Sequence, residues 1–267
     1  MRLIRYRSQE GLVCSGVELE AGRAERLVGD PVREGVVRSG EVDEVEALLS
    51  PVLPGTIYCI GQNYRKHAIE TGAAIPENPV IFMKPVTALQ HPGGPVRIPK
   101  ACSRGDEVDF EVELAVVIGK RGRDIPEAQA LEHVFGYTVA NDISARRWQK
   151  HGGGGQWIRG KSFDTFCPLG PALVTTDEIP DPQTLALRTT VNGVEMQKSS
   201  TSDMIFGVAN LISFLSADTT LEPGTVILTG TPEGVGFTRN PPVFLRAGDE
   251  VSVEVEGIGL LTNRVEG

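Results

Sequence analysis

Acidic and apolar residues alternate along the segment Val108-Asp-Phe-Glu-Val-Glu-Leu114. Because successive side chains of a β-strand point to opposite faces, this alternation predicts a strand with Asp109, Glu111 and Glu113 on one face. Like charges that crowd one face repel one another and raise one another's pKa, so a bound cation would stabilise them. A solvent-facing acidic stripe on an antiparallel sheet is the alternative interpretation.

A second apolar strand is predicted in Gly136-Tyr-Thr-Val-Ala-Asn-Asp-Ile-Ser-Ala-Arg146, and Asp142 lies where it turns into a polar helix. Glu111, Glu113 and Asp142 would form an all-oxygen ligand set. Such a set suits Mg²⁺ or Mn²⁺, with Ca²⁺ as a further possibility in crystals, because softer metals prefer Cys and His ligands. Three carboxylates leave about three octahedral positions for waters or a chelating substrate, which predicts an open, catalytic site.

A candidate general base lies upstream, on a helix predicted over Asn63–Thr71. His67 and Glu70 are three residues apart, so they share one helix face. A carboxylate in that position orients the imidazole and raises its basicity, which predicts an acid/base dyad. A surface histidine with a chance neighbour is the alternative.

Most of the remaining chain consists of short β-type runs separated by glycine and proline, which predicts a β-rich α+β fold. Asn192-Gly193 between two such runs predicts a hairpin with a tight turn. Pro51-Val-Leu-Pro-Gly55 separates a small N-terminal unit from the main domain. The four glycines 152–155 predict a loop that closes over the site or an ordinary flexible connection. Further helices are expected over Val42–Leu49, Pro126–His133 and Asp203–Ser216.

Composition narrows the classes of partner. The 267 residues include 26 Lys and Arg against 35 Asp and Glu, a formal charge of −9, which argues against a protein that tracks nucleic-acid phosphates. No apolar run approaches the roughly 18 residues that a membrane span needs, and charges interrupt the N-terminus. We therefore expect a cytoplasmic protein without a membrane partner. The cysteines are scattered and are expected to be reduced thiols: Cys14, Cys59, Cys102 and Cys167.

The segment Gly155-Gln-Trp-Ile-Arg-Gly-Lys-Ser162 matches the pattern of a phosphate-binding P-loop. A P-loop follows a buried strand and opens a helix, whereas this segment follows four glycines and runs into Pro168 and Pro171. We therefore do not expect it to bind ATP.

Taken in order, these motifs resemble the fumarylacetoacetate hydrolase family from about residue 55 to the end of the chain, and most of all its domain-containing protein two members. The resemblance rests on Ile60–Glu70, Phe82–Pro85, Asp109–Leu114, Asn141–Arg146, Gly160–Asp164, Phe163–Pro171, Leu228–Gly236 and Pro241–Leu245. It implies a mixed β-sandwich roll with a small N-terminal domain at 1–52, a catalytic domain at 53–267, and a homodimer.

The resemblance also implies roles for individual residues. Glu111, Glu113 and Asp142 would be the Mg²⁺ or Mn²⁺ ligands, and His67 with Glu70 would be the water-activating dyad. Four further residues would contact the substrate: Arg146, Gln149, Lys161 and Thr231. The chain departs from the family where Arg147 replaces an acid and where Ile60 occupies the position of a possible fourth ligand. Arg147 would alter the substrate charge preference or only the surface.

The implied activity is that of a metal-dependent enzyme acting on small 2-oxo or 2,4-dioxo acids through a metal-stabilised enolate. Hydrolysis of a C–C bond in an acylpyruvate such as fumarylpyruvate is the main hypothesis, with Lys161 holding oxyanion charge. Oxaloacetate tautomerase and oxaloacetate decarboxylase are the alternatives, because both reactions use the same enolate. A non-catalytic 2-oxo-acid binding module is the alternative from another class.

Overall fold

The computed structural model describes residues 1–20, 22–152 and 154–267, so Gly153 of the glycine run lies outside the described residues. The strands are β1 Arg2–Ser8, β2 Val13–Glu18, β3 Arg23–Leu27, β4 Arg38–Leu49, β5 Ile57–Gly61, β6 Val80–Lys84, β7 Leu89–Gln90, β8 Val96–Arg97, β9 Val108–Asp109, β10 Val112–Ile118, β11 Val134–Asn141, β12 Ser144–Ala145, β13 Cys167–Thr175, β14 Ala186–Val191, β15 Val194–Ser200, β16 Val226–Leu228, β17 Glu250–Val255 and β18 Gly259–Glu266. The α-helices are α1 Pro31–Glu34, α2 Arg65–Glu70, α3 Arg146–Lys150, α4 Ile158–Lys161 and α5 Val208–Ser216.

The strands confirm a β-rich fold with few helices. The larger sheet has the order β2-β3-β4-β1-β13-β11-β10-β16-β5-β6, with β7 beside β13. A five-stranded sheet has the order β15-β14-β17-β18-β8. Among the described residues, no helix is long and apolar enough to cross a membrane.

Strand β10 lies at the centre of the large sheet and is buried along its whole length. Its alternate residues pack into two different cores. Leu114 and Val116 join the cluster that includes Val253 of the five-stranded sheet and Leu211 of α5, whereas Val117 joins a second cluster. Burial on both faces means that the acidic residues entering this strand cannot form a solvent-facing stripe.

The four N-terminal strands pair in a ring, because β1 pairs with both β2 and β4 while β3 joins the other two. The ring is also continuous with the large sheet, since Leu3 of β1 pairs with Leu173 of β13. The division of the chain at residue 52 stays a prediction.

The helix expected over Val42–Leu49 is wrong, because this segment belongs to β4. Val42 is 53% exposed, and the residues turned toward the protein are Asp43, Val45 and Ala47, with the period of two that a strand requires. Asp43 accepts hydrogen bonds from the Tyr6 hydroxyl at 2.5 Å and from Arg26 Nη2 at 2.6 Å. Because Asp43 is polar and faces inward, the segment lacks the alternation of apolar and polar residues that predicts a strand.

The other predicted helices exist in shorter form. The segment Glu127–His133 is a 3₁₀ helix, and α2 spans only Arg65–Glu70. Asn63 does not cap α2, because its side chain bonds to the backbone of Phe206 and Thr229 instead. Helix α5 begins at Val208, five residues later than predicted, and the Gln183 side chain accepts the Val208 N–H at 2.7 Å.

The predicted hairpin is confirmed. Val191 pairs with Val194, and Asn192 and Gly193 between them have φ values of 50° and 77°. Positive φ at both positions is what a tight primed turn requires. The four cysteines are free thiols, as predicted.

Replacing Asp43 with Ala should lower the free energy of unfolding by about 1–3 kcal/mol, because the Tyr6 hydroxyl loses its acceptor and Arg26 loses one of its two carboxylate partners. Glu44→Ala, on the exposed side of the same strand, is the matched control and should change it by less than about 0.5 kcal/mol. Urea unfolding of both variants measures the difference. Equal effects would contradict the orientation of β4.

Candidate active site

The three carboxylates singled out in the sequence lie together. Glu111 and Glu113 flank the start of β10, which pairs with β11 so that Val112 lies opposite Asn141, and Asp142 follows that residue. Ligand atoms of the three side chains lie within 4.8 Å of one another, and the exposed fractions of Glu111, Glu113 and Asp142 are 5%, 1% and 0%. The strand pairing therefore converts two separate sequence motifs into one buried acidic cluster.

Asp109 is not part of this cluster, because β9 ends at Asp109 and the next strand starts three residues later. Its carboxylate accepts a hydrogen bond from Arg146 Nε at 2.8 Å and from the amides of Gly236 and Phe237 at 2.7 and 3.0 Å. Asp109 therefore fixes Arg146 and the loop that carries Phe237. A uniform strand through this segment, as the alternation predicts, would have placed it with Glu111.

Lys161 lies within the acidic cluster. Its Nζ donates to Glu111 Oε2 at 2.7 Å and to Asp142 Oδ2 at 2.8 Å, and Arg146 Nη1 is 2.6 Å from Glu111 Oε1. Burial alone would raise the pKa of Glu111, but Lys161 and Arg146 hold it below its ordinary value. Burial likewise opposes the charge of Lys161, yet Asp142 and Glu111 raise its pKa.

Lys84 is a buried residue of the site that the sequence reasoning did not single out. Its Nζ donates to the backbone carbonyls of Ile143, Lys161 and Phe166 at 3.1, 2.5 and 2.8 Å. It also lies 2.6 Å from Asp142 Oδ1. The signal was present in the sequence, because alternation in β6 puts Lys84 on the same face as buried Phe82. A lysine on the apolar face of a strand indicates a buried, paired charge.

The remaining oxygen atoms suit a cation. Glu113 accepts one hydrogen bond, from the Gly230 amide at 2.7 Å. Burial and then the charges of Asp142 and Glu111 raise its pKa well above the ordinary value. Among the described residues, Asp142 Oδ1 has no well-oriented hydrogen bond, because the nearby Lys84 ammonium donates to three carbonyls instead. A divalent cation with oxygen ligands would balance the charge of Glu113 and could also use this Asp142 oxygen.

His67 and Glu70 form the predicted pair on α2. Their Nδ1 and Oε2 atoms are 3.2 Å apart. The Glu70 carboxylate also accepts from Thr238 Oγ1 at 2.8 Å and from the Gly234 amide at 3.0 Å. Burial alone would raise the pKa of Glu70, but these three hydrogen bonds hold it below its ordinary value. Because Glu70 occupies Nδ1, Nε2 is the ring nitrogen left for a substrate.

A cavity of about 160 Å³ connects these groups. Its lining includes His67, Glu111, Glu113 and Lys161, together with the three other residues expected to contact substrate, which are Arg146, Gln149 and Thr231. Gln149 Oε1 accepts from Arg146 Nη1 at 3.0 Å, and Thr231 Oγ1 accepts from Gln197 at 2.8 Å. Arg146 Nη2 is buried without a hydrogen-bond partner among the described residues.

Arg147, which stands where the family has an acid, is absent from the described lining of this cavity. Its Nη2 lies 3.1 Å from Glu107 Oε1, and its guanidinium packs 5.0 Å from the Trp148 ring. Arg147 therefore belongs to a neighbouring ion pair, which favours the surface interpretation over an effect on substrate charge.

Known proteins resemble the chain along nearly its whole length. The family model described as "Fumarylacetoacetate (FAA) hydrolase C-terminal" matches residues 56–266. "Oxaloacetate tautomerase fahd2, mitochondrial" of Xenopus laevis is 51% identical over 220 residues, covering 82% of this chain and 68% of its own length. The human "Oxaloacetate tautomerase FAHD2A, mitochondrial" is 48% identical over 222 residues, with 83% and 70% covered. The predicted similarity to domain-containing protein two members is confirmed.

A solved structure agrees. The crystal structure of "5-carboxymethyl-2-hydroxymuconate delta-isomerase" from Mycobacterium smegmatis has a TM-score of 0.85 and 41% identity, and covers 100% of this chain and 99% of its own. The comparison with the Xenopus and human relatives contradicts the cytoplasmic location expected from the sequence, because both relatives are named as mitochondrial proteins.

Replacing Lys84 with Met should lower the free energy of unfolding by about 3–5 kcal/mol, because Asp142 would lose a buried counter-charge and three carbonyls would lose their donor. Lys198→Met, at a side chain 73% exposed, is the control and should change it by less than about 0.5 kcal/mol. Chemical denaturation measures both. A cost below about 1 kcal/mol for Lys84→Met would refute the structural role assigned to this ammonium.

Glu70→Gln should destabilise the protein in a pH-dependent way. Because the folded pKa of Glu70 is lowered, its contribution is present above the ordinary glutamate pKa of about 4.3 and is lost as the pH falls through the folded value. The difference in unfolding free energy from the wild type should therefore shrink below about pH 4. The control Glu77→Gln, at an exposed residue, should show no such trend. A difference that grows in acid would contradict the assignment.

Proposed function

The chain belongs to the fumarylacetoacetate hydrolase family, and from that premise we propose that it is an oxaloacetate tautomerase that binds one divalent cation, Mg²⁺ or Mn²⁺. The observation that carries the proposal is that Glu111, Glu113 and His67 line one cavity. Asp142 completes the carboxylate cluster, and Glu70 is hydrogen-bonded to His67. The named tautomerases to which the chain is about half identical favour this reaction over acylpyruvate hydrolysis.

Glu111, Glu113 and Asp142 would hold the cation, since their oxygen atoms match the ligands that Mg²⁺ and Mn²⁺ prefer. When bound, the ion supplies positive charge that stabilises negative charge developing on the oxygens of a 2-oxo acid. Lys161 would contribute a second positive charge to the same oxygens, because its ammonium lies in the cluster and lines the cavity.

His67 would move the proton. Tautomerisation of enol-oxaloacetate removes a proton from the oxygen on C2 and adds one to C3. It therefore needs an acid/base group and consumes no second reactant. The Nε2 atom of His67 is available for this transfer because Nδ1 is held by Glu70. The Glu70 carboxylate would stabilise the imidazolium that forms when Nε2 takes up a proton.

Arg146, Gln149 and Thr231 would orient the substrate. Arg146 Nη2 has no partner among the described residues, so it could donate a hydrogen bond to a substrate oxygen. Gln149 and Thr231 line the same cavity, and each already has one hydrogen bond that fixes its side chain. Fixed donors of this kind need little reorganisation during the reaction.

Hydrolysis of acylpyruvates is the second candidate, because a histidine–carboxylate pair can also activate a water. Decarboxylation of oxaloacetate needs no activated water, and the proton that C3 takes up after CO₂ leaves can come from solvent, so the pair does not favour it.

We also propose a homodimer. Strand β6 is an edge of the large sheet and exposes Ile81 and Met83, with exposed fractions of 43% and 41%. Exposed apolar residues on a sheet edge are suited to contact with a second copy. Sedimentation of the purified chain measures the oligomeric state.

The Mg²⁺-loaded protein should accelerate the loss of enol absorbance from enol-oxaloacetate without releasing pyruvate. His67→Ala should lower kcat/KM by a factor of about 10²–10⁴, because it removes the acid/base group. The matched control His151→Ala, at an exposed histidine, should keep the wild-type rate. A coupled assay for pyruvate runs in parallel.

Three results would redirect the proposal. Pyruvate and acetate from acetylpyruvate, with enol-oxaloacetate untouched, would establish the hydrolase. Pyruvate from oxaloacetate would establish the decarboxylase. An unchanged tautomerase rate in His67→Ala would show that this histidine does not carry the proton.

A further inference from the structure

A second lysine lines the cavity on the side of α3. Lys150 is the last residue of that helix, exposed, and one helical turn beyond Arg146. Both cations pack on one aromatic ring, because Lys150 Nζ lies 3.5 Å and Arg146 Cζ lies 4.4 Å from the centroid of Phe237. Asp109 holds both Arg146 and the Phe237 amide, which positions the ring on which Lys150 packs.

Lys150 differs from the other cations of the cavity in having no anionic partner. Lys161 contacts Glu111 and Asp142, and Arg146 contacts Asp109 and Glu111. Within residues 1–20, 22–152 and 154–267, no carboxylate oxygen lies within 4.0 Å of Lys150 Nζ. Partial burial of its stem and then the charge of Arg146 lower the pKa of Lys150, and an anion beside the ammonium would offset both effects.

We propose that Lys150 binds the distal carboxylate of a 2-oxo dicarboxylic acid and makes the site prefer dicarboxylic over monocarboxylic substrates. The proposal rests on the proposed function in one respect, which is that the 2-oxo acid end of the ligand lies at the carboxylate cluster. The distal carboxylate would then extend along the cavity toward α3. There, Lys150 offers an ammonium that forms no ion pair with the described residues. The Phe237 ring beneath it excludes water from one side of the ion pair and so strengthens it.

The neighbouring charge does not offer the same role. Arg147 carries a positive charge on the same short helix, but it pairs with Glu107 and is absent from the described lining of the cavity. The proposal therefore gives Arg147, where the chain departs from the family pattern, no contact with the ligand. The positive charge that would contact the ligand is that of Lys150, three residues later.

The test compares two four-carbon ligands, oxaloacetate and 2-oxobutyrate, which share the carboxylate and the 2-oxo group. Only oxaloacetate has a distal carboxylate. The rise in melting temperature of the Mg²⁺-loaded protein over a ligand concentration series gives an apparent Kd for each. We expect Lys150→Gln to weaken oxaloacetate binding about tenfold, the size of a hydrogen bond between charged groups, and to leave 2-oxobutyrate within about twofold.

Two further variants complete the design. Lys150→Arg keeps the charge and should restore the preference for oxaloacetate. Lys198→Gln makes the same charge change at an exposed lysine of β15 and should leave both Kd values unchanged. Equal weakening of the two acids by Lys150→Gln, or no weakening of either, would overturn the proposal.

Conversion of enol-oxaloacetate is measured separately from ligand binding. A wild-type protein that binds oxaloacetate selectively through Lys150 but does not convert its enol form would refute the tautomerase and leave the recognition by Lys150 standing. A wild-type tautomerase that binds 2-oxobutyrate as tightly as oxaloacetate would do the reverse.

Discussion

Three ionised carboxylates cannot be buried together in a protein unless positive charge lies beside them, and Lys161 and Lys84 supply part of that charge around Glu111, Glu113 and Asp142. Lys161 contacts two of the three. Lys84 lies behind Asp142 and ties together the segments that carry Ile143, Lys161 and Phe166. The electrostatic need of the cluster therefore also determines how strand ends and loops meet. Within the described part of the chain, Glu113 forms no ion pair of its own, which leaves a role for a divalent cation.

The sheet explains why the cluster forms at this place. Strands β10 and β11 are central and antiparallel, so the start of one lies beside the end of the other. Acidic residues placed at those two ends meet without any further adjustment of the backbone. The break in the strand after Asp109 directs that carboxylate to Arg146 and the Phe237 loop instead. One acidic segment of sequence thereby contributes both to the proposed cation site and to the support of the cavity wall at Arg146.

Local sequence pattern was sufficient where side-chain chemistry and strand position agree. It identified the carboxylate cluster, the His67–Glu70 pair and the Asn192-Gly193 turn, because each depends on residues close in sequence or on a strand end. It failed at Val42–Leu49, where Asp43 takes an inward position because Tyr6 and Arg26, distant in sequence, supply its hydrogen bonds. The alternation in β6 already indicated that Lys84 is buried, but its three carbonyl partners come from distant segments. The aromatic ring beside Lys150 also comes from a distant segment.

The proposed chemistry requires that the carboxylate cluster bind a cation. Titration of the purified chain with Mn²⁺ measures this directly, because the electron paramagnetic resonance signal reports the concentration of free ion. We predict one saturable site per chain, lost when Glu113 is replaced by Ala and retained when the exposed Glu77 is replaced by Ala. If Glu113→Ala stays folded but no longer binds Mn²⁺, the binding site is the carboxylate cluster. Absence of saturable binding in the wild type, or equal binding by Glu113→Ala, would contradict the account.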